Sequence, residues 1–488
     1  MKVQAYKFYA ISISIIAYVA WFISYDYFKS ANNVSSIHIG IMSWIGIALF
    51  VGYMLVWKKL TGRFLTLFSL FLCFFTVFNF GQSFLWAFGI HTTLRNEIGN
   101  APLYGIVSYD SNLIVQAQLM YIICFITLNL GAILVWRPED KNKFTRVAFD
   151  WDSVDDVKCK NLYIASSIIL TIAYPATMYI AIRNFVLGQL YSYHDLYYGN
   201  LGAISSIISI LDGLFFPALI GVLIGSKYDK RKRFFVYGLF LIYAVVTLLC
   251  GDRGEWINKL VVLFWADTWF NKPLSKKKIT SLILIILLGS YVIAPFVELR
   301  NVGLSVEGIK KVYTTLSMNP IISMLVEFGH SMGIAMVVIK NNVKFPYGNS
   351  YLMSFVTILS TRWANILFGI EYTQVPTWFS RDYLGILYGA DFSMIGEAIL
   401  NYNVYFAPII IAILGGIISK ISQLPLSKNM TPLSACLAIA AMEPILKMSR
   451  SSFWYALSRC AFFIIIFVAV YSVVESITKR RQPNHRYV

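Results

Sequence analysis

Arg253, Arg300, Arg381 and Arg450, together with Glu255, His330 and Glu397, are the residues of this chain whose types could do chemistry. A guanidinium grips a phosphate with two parallel hydrogen bonds, so several arginines in one cavity would make a diphosphate site. A carboxylate or an imidazole would take the proton of a hydroxyl that attacks a carbon centre, and Glu255, Glu397 and His330 are the candidates for that base. The stretch Gly251-Asp252-Arg253-Gly254-Glu255-Trp256 is the densest of these, a knot of charge between the apolar runs 234–250 and 257–270. Charge at a membrane boundary is costly unless it meets water, a partner or a ligand. Flanking glycine lets a backbone come close to an anionic group on a lipid-linked substrate.

The elements that must position these residues are apolar helices. The chain has 488 residues, of which 58% are hydrophobic and only 13% charged, against about 25% charged in a soluble domain. Repeated apolar runs near the length of a bilayer crossing predict an all-α integral membrane protein, a single polytopic domain over 1–488 with roughly 12–14 transmembrane helices. The net charge of +17 would suit nucleic acid. Its placement in short connectors instead follows the rule that cytoplasmic loops are basic, and predicts contact with anionic lipid headgroups and no nucleic-acid partner. The six cysteines lie mostly in apolar runs, so neither disulfides nor a thiolate metal site is expected. The amino terminus reads as a retained first span, because no small-residue cleavage site follows it.

The expected spans are about 8–25, 38–57, 64–90, 113–136, 161–187, 204–226, 234–250, 257–270, 279–297, 319–341, 350–369, 404–421, 432–447 and 459–477. Basic clusters at Lys58, Lys59 and Arg63, at 227–233, at 272–278 and at 479–481 mark the cytoplasmic ends. Both termini are therefore expected inside, and loops 91–112, 188–203, 251–256, 298–318, 371–403 and 448–458 outside. Asp150, Asp152, Asp155 and Asp156 fall in an intracellular connector with as many bases, which reads as a solvated loop rather than a metal site. The aromatic loop after Tyr191 reads as an interfacial belt ahead of a sugar platform.

Sorting the charges by side leaves Arg362 and Arg459 with the four arginines above, on the outer face or in adjacent spans. Each alone could pair with a nearby carboxylate, Arg253 with Glu255 and Arg300 with Glu298, but the whole set on one side asks for a functional site. Glu327 and His330, one helical turn apart, are expected on a shared face, as a base or as a satisfied polar pair. Glu397 is expected at the end of a polar external loop, just before Asn401-Tyr402-Asn403 opens a span. There is no GxxxxGK[ST] phosphate loop, no external carboxylate pair with metal-ligand spacing and no expected cofactor. Arginines alone would then stabilise a leaving diphosphate.

Four stretches carry a family resemblance: Gly251-Asp252-Arg253-Gly254-Glu255, Glu327-Phe328-Gly329-His330, Phe345-Pro346-Tyr347-Gly348-Asn349-Ser350-Tyr351, and the segment from Asp391 through Glu397 to Asn401. In that order they resemble the O-antigen polysaccharide polymerases of the Wzy type, over roughly the second half of the chain. That family usually has Phe-Gly after the late asparagine, where this chain has Tyr402-Asn403. The resemblance implies an inner-membrane glycosyltransferase of GT-C-like helical architecture, with its active site in external loops. It would join undecaprenyl-diphosphate-linked repeat units on the periplasmic side in lipopolysaccharide synthesis, with a chain-length regulator as a possible partner. Under it, Arg253, Arg300, Arg381 and Arg450 would hold the diphosphate, and Glu255, Glu397 or His330 would be catalytic. The competing readings are an O-antigen ligase and a flippase of the lipid-linked unit. Charges gathered on one face favour an enzyme over a flippase.

Overall fold

A computed structural model describes residues 2–31, 33–91, 97–98, 102–103, 107–108, 110–137, 149–190, 204–249, 254–271, 319–386, 392–426 and 430–481. The first four helices are α1 (Lys2–Ser30), α2 (Ser36–Thr61), α3 (Leu67–Ala87) and α4 (Ser111–Val135). A two-residue antiparallel ladder, β1 (Pro102–Leu103) with β2 (Val107–Ser108), sits between α3 and α4. Next come α5 (Asp156–Leu190), α6 (Ser206–Gly225), α7 (Lys230–Leu249) and α8 (Gly254–Phe270). Then follow α9 (Pro320–Phe328), α10 (Ser331–Asn341), α11 (Ser350–Val356), α12 (Arg362–Phe368) and α13 (Val375–Trp378), the last continued by a π turn over Phe379–Tyr383. The chain closes with α14 (Met394–Gln423), α15 (Pro432–Met448) and α16 (Phe453–Arg481).

Among the described residues, 10 helical segments are long and apolar enough to cross a membrane. The 17-residue helices α8 and α15 lie at the lower limit of spanning length. The protein is therefore a multi-pass, all-helical membrane protein, as its composition implies. The expected span 279–297 and the aromatic loop after Tyr191 lie outside the described residues. The expected span 350–369 is corrected: it is two helices of 7 residues, α11 and α12. Each is about 10 Å long, far short of a bilayer. Asn349 starts the first by accepting hydrogen bonds from the amides of Tyr351 and Leu352, and Gly369, at φ 66°, ends the second.

The chain divides into two compact units. Unit 1 comprises Met1–Thr145, Ile321–Gln423 and Pro444–Ser458. Its centre is the pair α4 and α14, whose backbones touch. A Cβ on Gly131 would collide with the Ala412 carbonyl and one on Gly415 with the Leu128 carbonyl, so only glycine permits this approach. One end of the unit is basic. There Lys7 donates to the Leu134 carbonyl at 2.6 Å, the Arg137 amide donates to Gln423 at 3.2 Å, and Lys58 and Lys59 close α2. At the opposite end Asn112 donates to the Ala31 carbonyl, Tyr405 donates to Asp26 at 2.8 Å, and α10 packs on β2.

Unit 2 comprises Arg146–Pro320, Leu424–Glu443 and Arg459–Val488, built on the pair α5 and α6. Its connector carries the four aspartates, all exposed. Asp155 caps α5, and the amides of Lys158 and Val157 hold its carboxyl below the usual carboxylate range. Asp156 pairs with Lys227, which also donates to the Trp151 carbonyl at 3.1 Å. Trp151 in turn packs on Tyr228 and Phe270.

Candidate active site

α14 begins in unit 1 with a cap that ties it to two other elements. The Ser393 hydroxyl accepts from the Gly396 amide at 3.1 Å and donates to the Asn79 side chain at 2.7 Å. Asn79, on α3, then donates to the Ser449 carbonyl at 3.1 Å. The first turn of α14 is thereby fixed against α3 and the turn between α15 and α16. Glu397 lies in that turn and is only 1% exposed. The expected external loop ending at Asn403 is thus corrected, since its last part is helix from Met394 onward.

The Glu397 carboxylate accepts from the Ser350 hydroxyl at 2.7 Å through Oε1 and from the Phe453 amide at 2.8 Å through Oε2. Asn401, one turn along α14, donates to the Ser350 hydroxyl at 2.9 Å and to the Glu397 carbonyl at 2.7 Å. Its side-chain oxygen Oδ1 accepts from the Ser350 amide at 2.7 Å. Two of the stretches that carry the resemblance, Phe345–Tyr351 and the segment ending at Asn401, therefore meet on one carboxylate. Two phenols complete the surroundings. Tyr351, packed between Tyr402 and Phe453, and Tyr372 both lie near enough to feel the Glu397 charge. Their hydroxyls are buried without a hydrogen-bond partner among the described residues.

The donors to Glu397 among the described residues are a hydroxyl and an amide, and both are neutral. Such donors aim the carboxylate without cancelling its charge. A carboxylate offers about four lone-pair sites and two are used, so the group retains capacity to accept a proton or a further donor.

Arg450 is in the same neighbourhood. It follows α15, and its guanidinium carbon lies 5.5 Å from the centre of the Phe78 ring and 5.8 Å from that of Phe328. Two aromatic rings close to the guanidinium stabilise the cation. Three residues later, Phe453 supplies the amide that binds Glu397. His330, half-buried, lies in the same unit in the turn between α9 and α10. Glu327 and His330 do not belong to one continuous helix, because α9 ends at Phe328 and a turn through Gly329 and His330 intervenes. The close approach of Gly81 and Gly329 sets that turn: a Cβ on Gly81 would sit 2.9 Å from the Leu325 carbonyl, and one on Gly329 would collide with the Gln82 amide. Arg381 is exposed on the π turn and Arg362 is exposed at the start of α12. Arg253 and Arg300 lie outside the described residues, as do Glu298 and Asp391.

Glu255 belongs to unit 2, in the first turn of α8. One turn on, the Lys259 ammonium lies 3.7 Å from Glu255, 3.9 Å from Glu443 of α15 and 3.5 Å from the Tyr243 hydroxyl. Asp212 of α6 accepts from the Thr177 hydroxyl at 2.9 Å and lies close enough to Glu255, Lys259 and Arg459 to feel their charges. Sequence reasoning missed Asp212, Lys259 and Glu443 as companions of Glu255, and missed Ser350 and Tyr351 as companions of Glu397. The signal for the second pair was Asn349-Ser350 at the head of an apolar run, a helix cap.

The profile of the family described as O-antigen polysaccharide polymerase Wzy matches residues 6–481, nearly the whole chain and well beyond the half that carries the motifs. No curated protein and no solved structure matches it.

Proposed function

We propose, on the premise that this chain belongs to the O-antigen polysaccharide polymerase Wzy family, that it joins undecaprenyl-diphosphate-linked repeat units at the periplasmic face of the inner membrane. Membership and the apolar helices make it a multi-pass membrane protein of O-antigen polymerisation. The rest is our reading. One observation carries it: a buried, neutrally bonded carboxylate, Glu397, at the end of unit 1 opposite its basic end. Basic ends face the cytoplasm, so Lys7, Lys58, Lys59 and Arg137 would put Glu397 and Arg450 on the periplasmic side. The same rule would put both termini in the cytoplasm, a reading supported by the start of α1 at that basic end and by Lys479 to Arg481 at the close of α16.

In this reading a hydroxyl of one repeat unit attacks the anomeric carbon of another. A glycosidic C–O bond forms, the bond from that carbon to the diphosphate oxygen breaks, and its electron pair leaves with the lipid diphosphate. The hydroxyl proton passes to Glu397. Arg450, packed against its two rings, would take the diphosphate charge, with Arg381 of the same unit as a further anion ligand. His330, in the turn between α9 and α10 of the same unit, is the second candidate base.

Glu397→Gln tests this reading, because it keeps the size and the acceptor oxygen but not the basicity. Loss of a general base costs on the order of 100-fold or more in rate. Cells making this variant should carry lipopolysaccharide with a single repeat unit, while immunoblots show the protein at parental abundance in the membrane. A normal long-chain ladder overturns the assignment.

A further inference from the structure

Two buried hydroxyls in unit 1 have no use in the packing around them. Tyr351 and Tyr372 are 7% and 8% exposed, and neither hydroxyl has a hydrogen-bond partner among the described residues. A buried hydroxyl left unpaired destabilises a fold, so each one asks for a ligand or another explanation. Both stand beside Glu397. Tyr351 follows Ser350, which donates to the carboxylate, and its ring packs 5.3 Å from that of Phe453, whose amide also donates to it. Tyr372 comes from the segment between α12 and α13 and lies near enough to feel the same charge.

Neither phenol bonds the carboxylate, although Glu397 uses two of its roughly four acceptor sites. Their rings are clamped. Tyr351 is wedged between Phe453 and Tyr402, the latter at 5.9 Å. Tyr372 meets Phe345 and Tyr347 edge-on, at 6.0 and 5.6 Å. A ligand that serves phenol and carboxylate together must accept from the one and donate to the other. An alcohol does both, whereas an anion has no proton to donate and is repelled by a carboxylate. Tyr372 is one layer beneath the surface, since Glu371 beside it is exposed and Tyr347 against it is half-buried.

We propose that the hydroxyls of Tyr351 and Tyr372 bind hydroxyl groups of the acceptor sugar and hold it against Glu397. Each phenol donates to a sugar oxygen, and the sugar hydroxyl that faces Glu397 donates to its carboxylate. The identity of the ligand rests on the polymerase reading above; the meeting of two unpaired phenols at one carboxylate lies wholly within unit 1. The phenols then contribute binding, and Glu397 remains the group that takes the proton.

Purified full-length protein in detergent supplies two readouts, the thermal midpoint without substrate and polymer formation from undecaprenyl-diphosphate-linked repeat unit. Tyr351→Phe and Tyr372→Phe keep the ring and remove only the hydroxyl. Each should leave the midpoint at or above the parent's, because an unpaired buried group is gone. Each should raise KM roughly fivefold, the worth of one hydrogen bond between neutral groups, and leave kcat within about twofold. A midpoint below the parent's in either variant overturns the proposal, since the hydroxyl then has a partner inside the fold. Parental KM in either variant overturns it too, as does a loss confined to kcat, which would put the phenol in proton transfer. A parent protein that makes no polymer from this substrate overturns the polymerase reading, and the proposal with it, before any variant is compared.

Discussion

Glu397 in unit 1 is held by a hydroxyl and an amide at 2.7 and 2.8 Å, whereas Glu255 and Glu443 in unit 2 face one ammonium at 3.7 and 3.9 Å. The two regions handle the same chemical group by opposite means. Hydrogen bonds to neutral donors are short and directional, so they fix where a carboxylate points while its charge persists. An ion cluster works through Coulomb attraction, which falls only as the inverse of distance and tolerates loose geometry. A proton acceptor must be placed to within tenths of an ångström, and unit 1 supplies that. The carboxylates of unit 2 are grouped around one shared cation instead.

The comparison breaks most readily at Lys259. Lys259→Met strands Glu255 and Glu443 without their shared cation, and breaking a buried ion pair this way costs about 3–5 kcal/mol. The thermal midpoint in detergent should fall, and adding Glu443→Gln should return part of the loss. A midpoint unchanged by Lys259→Met would mean that the carboxylates of unit 2 do not depend on it. In unit 1 the equivalent change is Ser350→Ala, which leaves Glu397 one neutral donor short and costs about 1–3 kcal/mol. A Ser350 effect as large as that of Lys259 would erase the distinction between the two regions. The smallest effect belongs to Asn403, which sits at φ 57° and ψ 176° inside α14, in territory otherwise kept for glycine. Its Oδ1 accepts from the Tyr405 and Phe406 amides at 2.9 and 3.3 Å. Asn403→Gly trades that cap for relief of strain and should move stability by a few tenths of a kcal/mol, whereas Asn403→Ala loses the cap and keeps the strain, for about 1 kcal/mol. Equal midpoints for the two variants would show that the backbone there is not strained.

Hydropathy made the membrane class and most helices legible, because an apolar run of bilayer length has few alternatives. It failed at 350–369, where the average hides two breaks, at Ser360 with Thr361 and at Gly369, just after the cap at Asn349. It also started a span at 404 and left Glu397 in a loop, because Asn401 and Asn403 interrupt the apolar pattern. Those polar residues are a tie to Ser350 and a helical break, not the end of the helix. The departure of Tyr402-Asn403 from the family's Phe-Gly has the same explanation: asparagine, the residue most tolerant of positive φ after glycine, adopts a glycine-like backbone here. Glu397, His330 and Arg450 in unit 1 and Glu255 in unit 2 are candidates by residue type and expected side alone. Their companions are not. Asp212, Lys259 and Glu443 come from three helices, and periodicity within one helix carries no information about what a distant helix brings to it.

The break at Asn403 also acts as a gauge of depth. α14 has 30 residues, about 45 Å at 1.5 Å per residue, which is too long for a hydrocarbon layer of about 30 Å. The part after the break, Val404 to Gln423, measures about 30 Å by the same rise and fits that layer unaided. The turn bearing Glu397 and Asn401 is the length left over when those residues fill that layer. A single asparagine thus divides this helix into a stretch of bilayer length and a buried turn that holds the carboxylate.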